Sequence, residues 1–441
     1  MQTVREPARE LPVWGEADVV VCGGGPSGFM AAVSAARAGA RTLLVERYGF
    51  LGGTATAGCM VDFGSIHNGR EVLVGGATHE FLHRLADSGG GAMQDAESHR
   101  MTFDPESMIL VCRDMVLEAG VELLLHTLVV DVVREGDTVK GVVAENKSGR
   151  SVILGRVVVD ATGDGDVAAR AGADYDIDHE DSPALQPVTL EVILGGVDLG
   201  RVPQSHFDVT PIIRQHADEW PIPTERIFSW GAVPREGRAD DPRSAYVFIN
   251  TTNVLGVDGT RVDDLVRAEI EARGQVRPLI AFLRRHVPGF ENCYLDRTGA
   301  QVGVRETRRI CGDYTLTHDD VLAGRHFPDG VAPSCNSIDV HDAEGRDFEH
   351  EYLERGAFYE IPYRCFLPRG IEGLLVTGRA ISADRHALGS ARVMVVCMPA
   401  GDACGLAAAM AASSGVPPRR IDVAALRAEI RRQGTVLSET S

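Results

Sequence analysis

Residues 18–28, Asp18-Val19-Val20-Val21-Cys22-Gly23-Gly24-Gly25-Pro26-Ser27-Gly28, decide how this chain folds. A short apolar run passes directly into glycines at 23, 25 and 28, matching G-x-G-x-x-G. FMAAVSAARAGA follows with the small-residue pattern of a helix that stops at Gly39. Arg41–Glu46 (RTLLVE) reads as a second strand, and Glu46 stands 18 residues after Gly28. A strand, glycine turn, helix and strand closed by an acid at that distance form a dinucleotide-binding unit. Gly23 permits the tight turn, Gly25 lets the backbone approach a pyrophosphate, and Gly28 lets helix and strand pack closely. Pro26 and Ser27 open the helix whose free N–H groups face the phosphates. Glu46 accepts hydrogen bonds from ribose hydroxyls and would repel a 2′-phosphate, which disfavours NADP.

The residues after Glu46 separate FAD from NAD. Arg47-Tyr48-Gly49-Phe50-Leu51-Gly52-Gly53-Thr54-Ala55-Thr56-Ala57-Gly58 has too few bulky side chains to pack as the core helix that an NAD dehydrogenase places there. Such a strip can run its backbone along an extended dinucleotide as far as a flavin. Arg47, Gly52, Gly53, Thr54 and Ala55 are its candidate cofactor contacts. Read alone, a plain surface loop is its lesser reading.

Three segments together carry a resemblance: GGGPSG…VERYGFLGGTATAG, VVVDATGDGD (157–166) and GRAISADRHALGSARVMVVCMPAGDACGLAAA (from Gly378). The chain resembles the FAD-dependent oxidoreductase family, and is distantly similar to the flavoprotein subunits of fumarate reductases and succinate dehydrogenases. The similarity runs from residue 18 to about 412 and is weakest between 175 and 300. It implies bound FAD, redox chemistry and a Rossmann-like FAD-binding domain of the glutathione-reductase type. By the same resemblance Ala161, Thr162 and Gly163 lie beside the nucleotide, Val130 joins the cofactor contacts, and the helix carrying Ala400 and Gly401 points its N-terminal end at the flavin pyrimidine. No histidine stands beside Thr54–Thr56 to take a covalent flavin, so the FAD is expected to be non-covalent.

The expected fold class is α/β, with an inserted α+β substrate domain. Residues 1–174 form the first part of the FAD-binding domain, with a β-meander over about 128–155. Phe103-Asp104-Pro105 starts a helix with Asp104 at the N-cap, and VELLLHT (121–127) reads as a parallel strand. Asp164 and Asp166 read as caps of the following helix rather than as metal ligands, and no metal is expected. Residues 175–310 form the insertion, a substrate-covering domain of sheet and one helical region. There prolines gather at 183, 187, 203, 211, 221, 223, 234 and 242, and Asp263–His286 reads as an amphipathic helix broken near Gly274 and Pro278. Residues 311–441 return to the FAD-binding domain. LLVTGR (374–379) rejoins its sheet and brings Gly378 and Arg379 near the cofactor, and Met398–Ala412 is a small-residue helix.

A flavin carries hydride transfer, so the protein must orient the substrate, move a proton and stabilise charge. Arg305 reads equally as a clamp for a substrate carboxylate and as an ion-pair arginine; Arg308 and Arg309 read first as ion pairs. His386 is the first choice for general acid or base, because an imidazole titrates near neutrality. Arg392 is the candidate partner of the flavin pyrimidine or of a substrate anion. Cys397 reads as packing, and His341 and His67 as weaker loop histidines. The expected reaction is hydride transfer between flavin N5 and a small organic substrate, with dehydrogenation ahead of C=C reduction of the fumarate-reductase type. A hydroxylase is less favoured, because no proline follows GDACGLAAA. A flavin subunit passing electrons to a partner protein stays open.

Composition narrows the partners. Lys+Arg 44 against Asp+Glu 63 leaves a net charge of −19, which repels nucleic acid and anionic membrane. Hydrophobic content of 44% with 24% charged residues excludes disorder along most of the chain. Nine cysteines without a CxxC pair argue against a disulfide framework and fit free thiols in a reducing cytosol. The first residues, MQTVREPARELPVW, have no apolar signal region, and no uninterrupted apolar run reaches membrane-spanning length. A cytoplasmic enzyme is therefore expected. No second G-x-G-x-x-G is complete, so electrons enter or leave by oxygen, a quinone, a protein or the substrate. The oligomeric state is left open, a homo-oligomer included.

Overall fold

The computed structural model describes residues 3–5, 7–93, 100–177, 185–203, 206–223, 229–235, 245–341 and 348–439. Pro183 and Pro242 of the proline cluster lie outside them. Six strands build the first part of the main sheet: β1 (Val13–Cys22), β2 (Thr42–Val45), β3 (Glu122–Leu124), β4 (Leu128–Glu135), β5 (Thr138–Asn146) and β6 (Gly149–Asp160), in the order β3-β2-β1-β6-β5-β4. β1 lies parallel to β2, with Val19 opposite Thr42, and to β6, with Val19 opposite Val157. Val19, Val20 and Val21 are buried whichever way they point, as a parallel sheet covered on both faces requires. β6 serves two structures. One edge lies beside β1 from Val152 to Asp160, while the first half of its other edge closes the antiparallel β4–β5–β6 meander.

α1 (Pro26–Arg37) follows β1 directly. The helix Pro105–Glu118 has Asp104 at its N-cap, as expected, but that carboxylate makes no cap bond and pairs with Arg235 at 2.7 Å.

The insertion is entered and left through a two-stranded ribbon, Tyr175–Asp176 against Arg309–Ile310. Its antiparallel sheet runs β8-β9-β7-β10, formed by β7 (Val192–Val197), β8 (Ser229–Val233), β9 (Ala245–Asn250) and β10 (Tyr294–Thr298). Strand alternation divides the two faces. Val192, Leu194, Val247 and Ile249 meet α2 (Val262–His286), while Ile193 and Phe248 point into the core of the first domain. Contrary to expectation, α2 passes unbroken through Gly274 and Pro278, and a second helix, His206–Gln215, accompanies it. The Pro278 ring crowds the carbonyl four residues back, which belongs to Gly274, where backbone freedom absorbs it. Burial of Ala268, Ala272, Val276, Leu279 and Leu283 outweighs the lost hydrogen bond.

The chain returns as β11 (Leu374–Val376), parallel to β6 with Leu374 opposite Val158. α3 (Met394–Ser414) begins four residues earlier than the sequence suggests. It lies on α1 so closely that a Cβ on Gly401 would sit 2.0 Å from the Ser27 carbonyl oxygen, and one on Gly405 would sit 2.2 Å from that of Ala31. Among the described residues α3 is the helix long and apolar enough to cross a membrane, yet 94% of its most apolar window is buried inside the fold.

Candidate functional site

Three parallel strands deliver their C-terminal ends to one place, where an open α/β sheet binds its ligand. β1 ends at Gly23, which adopts φ +99°; a Cβ there would lie 2.5 Å from the Ala161 carbonyl oxygen at the end of β6. A Cβ on Gly28 would lie 1.8 Å from the Gly23 oxygen, so only glycine lets α1 seat against the turn. Gly25 is different. The one atom near its Cβ position is the Gly53 Cα at 3.8 Å, and no side chain caps the α1 N-terminus that Gly25 begins. An uncapped N-terminus at Pro26 and Ser27 beside an open glycine offers partial positive charge to a pyrophosphate.

Glu46 is buried. One carboxylate oxygen accepts the Gly24 N–H at 2.6 Å and the other the Tyr48 N–H at 2.9 Å. Burial raises its pKa, and these N–H groups together with Arg47 oppose the rise. Each oxygen keeps a second acceptor direction for a ribose hydroxyl. The strip that follows is fastened to the glycine turn: Gly52 N–H donates to the Gly24 oxygen at 2.8 Å, and a Cβ on Gly53 would meet the Gly25 Cα at 2.8 Å. Ala55 is fully buried, and the Thr54 oxygen accepts the Met60 N–H at 3.1 Å. On its other side the strip meets the insertion, where Gln301 N–H donates to the Ala57 oxygen at 3.2 Å. Arg47 spans this junction, donating to Gln301 Oε1 at 3.0 Å. Val130 sits at a register shift in β4, and its oxygen accepts from Arg170 at 2.9 Å.

The turn after β6 corrects one expectation. Asp160 accepts from the Thr162 N–H and hydroxyl at 3.1 and 2.7 Å and from Ala168 N–H at 2.9 Å, and Thr162 Oγ1 accepts the Asp166 N–H at 2.9 Å. Asp160 and Thr162 thus cap the helix Asp166–Arg170. Asp164 and Asp166 are drawn instead to cations, Asp164 to Arg379 at 2.7 Å and Asp166 to Arg308 at 3.0 Å, because charge-assisted bonds outweigh a neutral cap. Gly163 adopts φ +84° beside Arg379, and Gly378 adopts φ +79°, with its Cβ position 2.7 Å from Ser27 Oγ. Ala400 and Gly401 are buried in the α3–α1 contact behind this turn.

A second polar cluster lies where the insertion meets the return segment. A small cavity is lined by Thr189, Asn250, Asn253, Arg305 and His341, among others. Arg305 donates to the Pro187 oxygen and to Thr189 Oγ1. Burial and the neighbouring Arg392 push its pKa down to about 10. Arg392 donates to Gln186 Oε1 at 3.1 Å and to the Asp339 oxygen at 2.9 Å. The same Gln186 oxygen accepts the His341 N–H at 3.1 Å, and Glu306 fixes Gln186 by bonds of 2.6 and 3.0 Å. His341 Nε2 stands 3.6 Å from Asp339 Oδ1. Burial, then Arg305, push its pKa down to about 3 against the pull of Asp339, so the ring is neutral. Burial works to raise Asp339, but Arg392, His341 and Arg305 hold it below the usual carboxylate range.

The structure therefore brings Arg305 and Arg392 together and leaves His386 apart. His386 rides on the short helix Arg385–Ala391, 44% exposed, against Glu349 at 3.3 Å and the ring of His318. The histidine at the cavity is His341. Arg308 and Arg309 form ion pairs with Asp166 and Asp176. Cys397 is buried, donates to the Arg392 oxygen, and burial pushes its thiol up to about 12. Gln186, Glu191, Asn250 and Asp339 were missed; only the cross-strand register could have gathered them. Among the described residues, His216, Glu219 and His286 place three potential metal-ligand atoms within 4.8 Å, but Arg285 also pairs with Glu219 at 2.9 Å.

An uncapped helix end, an open Gly25, an acid with spare acceptor directions and a glycine strip leading to a polar cavity fit an FAD. The chain is 38% identical over 87 residues to a dihydrolipoyl dehydrogenase of Manduca sexta, a match covering 20% of this chain and 17% of that protein. It is 30% identical over 158 residues to a thiamine thiazole synthase of Methanococcus vannielii, covering 34% of this chain and 56% of that one. The matches thus span less than two thirds of these relatives' lengths. Among solved structures, a geranylgeranyl bacteriochlorophyll reductase-like protein from Thermoplasma acidophilum aligns over 96% of this chain and 89% of its own, at 13% identity and a TM-score of 0.49. The family profile described as FAD dependent oxidoreductase matches residues 18–430, and the chain belongs to that family of FAD-using enzymes.

Proposed function

We propose that the enzyme moves a hydride between non-covalently held FAD and a small organic substrate whose anionic group rests on Arg305 and Arg392, with dehydrogenation the favoured direction. The observation that carries this reading is that Arg305 and a neutral His341 line one cavity, with Arg392 a charged neighbour of both, next to the FAD strip. Gly303, two residues before Arg305, has its Cβ position 3.9 Å from Thr54 Oγ1.

FAD, when bound, supplies the two-electron acceptor. Gly25 and the α1 N-terminus would hold its pyrophosphate, and Glu46 its ribose. Arg305 and Arg392 orient the substrate and stabilise its charge. Once a substrate carboxylate offsets Arg305 and Arg392, which together with burial hold the ring neutral, His341 can take a proton from the substrate, and Asp339 beside Nε2 stabilises the imidazolium that results. Glu306 and Gln186 hold His341 and Arg392 in register.

The test is anaerobic addition of carboxylic acids, alcohols and amines to the purified yellow protein. Bleaching of the flavin band by an acid is expected. Bleaching confined to neutral alcohols or amines refutes the anion clamp. Acid precipitation should release the yellow colour into the supernatant.

A further inference from the structure

The sheet of the insertion carries a buried carboxyl that the scheme above does not use. Glu191 precedes β7 and shares the face of Ile193 and Thr189, which looks toward the first domain. It is 3% exposed, and its Oε2 has no hydrogen-bond partner. One step beyond the Val192–Ile249 pair, the antiparallel register sets Asn250 opposite Glu191. Asn250 lines the cavity with Arg305, and its Oδ1 is likewise buried and unpaired; Asn253 Oδ1, also on the cavity wall, is the same. The Glu191 backbone carbonyl accepts the Gly299 N–H, Gly299 lies against the Gly58 carbonyl of the FAD strip, and the Asn250 amide donates to Met60 Sδ at 3.7 Å just past that strip, so both residues lie beside it. Burial raises the Glu191 pKa far above the usual range, with Arg305 opposing and Asp62 adding to the rise.

Unpaired buried acceptors are costly, and they mark the complement of a ligand that brings donors. Asn250, Asn253 and Arg305 line the cavity, and Glu191 and Arg392 are close neighbours of Arg305 beside it. We propose that the substrate is a small carboxylic acid carrying a hydroxyl or amino group on the adjacent carbon: its carboxylate lies on Arg305 and Arg392, and its O–H or N–H donates to Glu191 and Asn250. This rests on the function proposed above. The reaction then balances. The C–H hydrogen beside the donor would leave with its electron pair to oxidised FAD, and the O–H or N–H proton, given up from its hydrogen bond with Asn250, would pass to His341 across the cavity that both residues line and on to solvent. A carbon–oxygen or carbon–nitrogen double bond forms, giving a 2-oxo or 2-imino acid.

The experiment is calorimetric binding of matched short-chain acids to the FAD-loaded protein under anaerobic conditions: unsubstituted, 2-hydroxy and 2-amino. The substituted acids should bind at least about tenfold more tightly, the effect of satisfying one or two buried acceptors. That ratio should collapse in Glu191→Leu and persist in Glu191→Gln, which keeps an acceptor; flavin absorbance checks that each variant is folded. If Glu191→Leu loses FAD, Asn250→Ala carries the same test. Equal binding of the three acids to the unmutated protein overturns the proposal, as does a ratio unmoved by loss of either acceptor. Equal but tight binding would leave the anion clamp standing, whereas weak binding of every acid would remove the clamp itself. The relative strength of the hydroxy and amino series decides which donor the site takes.

Discussion

Raising the pH should destabilise the fold through Asp402, by an amount its surroundings set. Asp402 lies in the GDACG segment of α3, 6% exposed, and accepts the Ser34 hydroxyl of α1 and the N–H groups of Ala77 and Thr78. It is thus a tertiary cap for the helix Gly76–Asp87, whose own N-cap, Gly75, offers no side chain. Burial raises its pKa to about 6 despite these donors. An unfolded aspartate titrates near ~3.9. Between those values the folded chain binds the proton and the unfolded chain does not, so stability is fully present below the lower value and is lost as pH rises through the upper. The complete loss is about 3 kcal/mol, and the part falling between about pH 5 and about pH 7.5 is roughly 1.4 kcal/mol. Asp402→Asn cannot ionise, and its altered hydrogen bonding adds only a pH-independent offset. Urea unfolding of both FAD-loaded proteins, followed by circular dichroism across that range, gives the difference directly. The advantage of the unmutated chain over the variant should shrink by roughly 1.4 kcal/mol on going to the higher pH. A constant difference would mean that Asp402 titrates like an exposed carboxyl, and a growing one that its donors outweigh burial; either refutes the reasoning.

Other perturbations separate the parts of the site. Gly28→Ala forces a Cβ to within 1.8 Å of the Gly23 oxygen. Relief of that overlap costs about 1–3 kcal/mol or more and opens the phosphate turn, so the protein should purify colourless with a lower Tm. Glu46→Ala removes the acceptor for Gly24 and Tyr48 and should weaken FAD retention in equilibrium dialysis without abolishing folding. His341→Ala should lower kcat by roughly 10²–10⁴-fold, while His386→Ala, on its exposed helix, should leave kcat at the level of the unmutated enzyme. The reverse pattern in steady-state kinetics would return the proton-transfer role to His386.

The nucleotide half of the site was legible because its constraints are local. Gly23, Gly25, Gly28 and Glu46 are fixed by a turn, a helix start and a strand end lying within one βαβ unit, so spacing alone reveals them. Gly52 and Gly53 follow from the same backbone crowding. The substrate half was not legible, because its residues meet through tertiary register. Gln186, Glu191, Asn250, Arg305, Asp339 and His341 come from four separate stretches of chain, and no spacing rule links them. His386 looked the better base because an imidazole suits proton transfer near neutrality and this one closely follows the rejoining strand. Sequence could not show that its helix turns that ring outward, nor that Asp339 and His341 lie on a strand, Ile338–His341, bordering the cavity. Asp164 and Asp166 were misread for a related reason, since their true partners Arg379 and Arg308 lie far along the chain.

Electrostatics ties the two halves together. The surface of a chain with net charge −19 repels small anions, so an acidic substrate must be drawn by a local field. The cavity supplies one. Arg305 and Arg392 share Asp339, while Glu306 is occupied by Gln186 and lies 3.8 Å from Arg385. His341 is neutral, and burial favours the uncharged form of Glu191. Arg305, Arg392 and Arg385 outnumber Asp339 and Glu306 and leave an uncompensated positive charge, and burial, followed by Arg392, lowers the pKa of Arg305. One carboxylate arriving from solvent completes the balance. The same arrival brings its adjacent donor within reach of the unpaired acceptors of Glu191 and Asn250. Charge and hydrogen bonding therefore favour the same orientation of a single small molecule in the cavity next to the FAD strip.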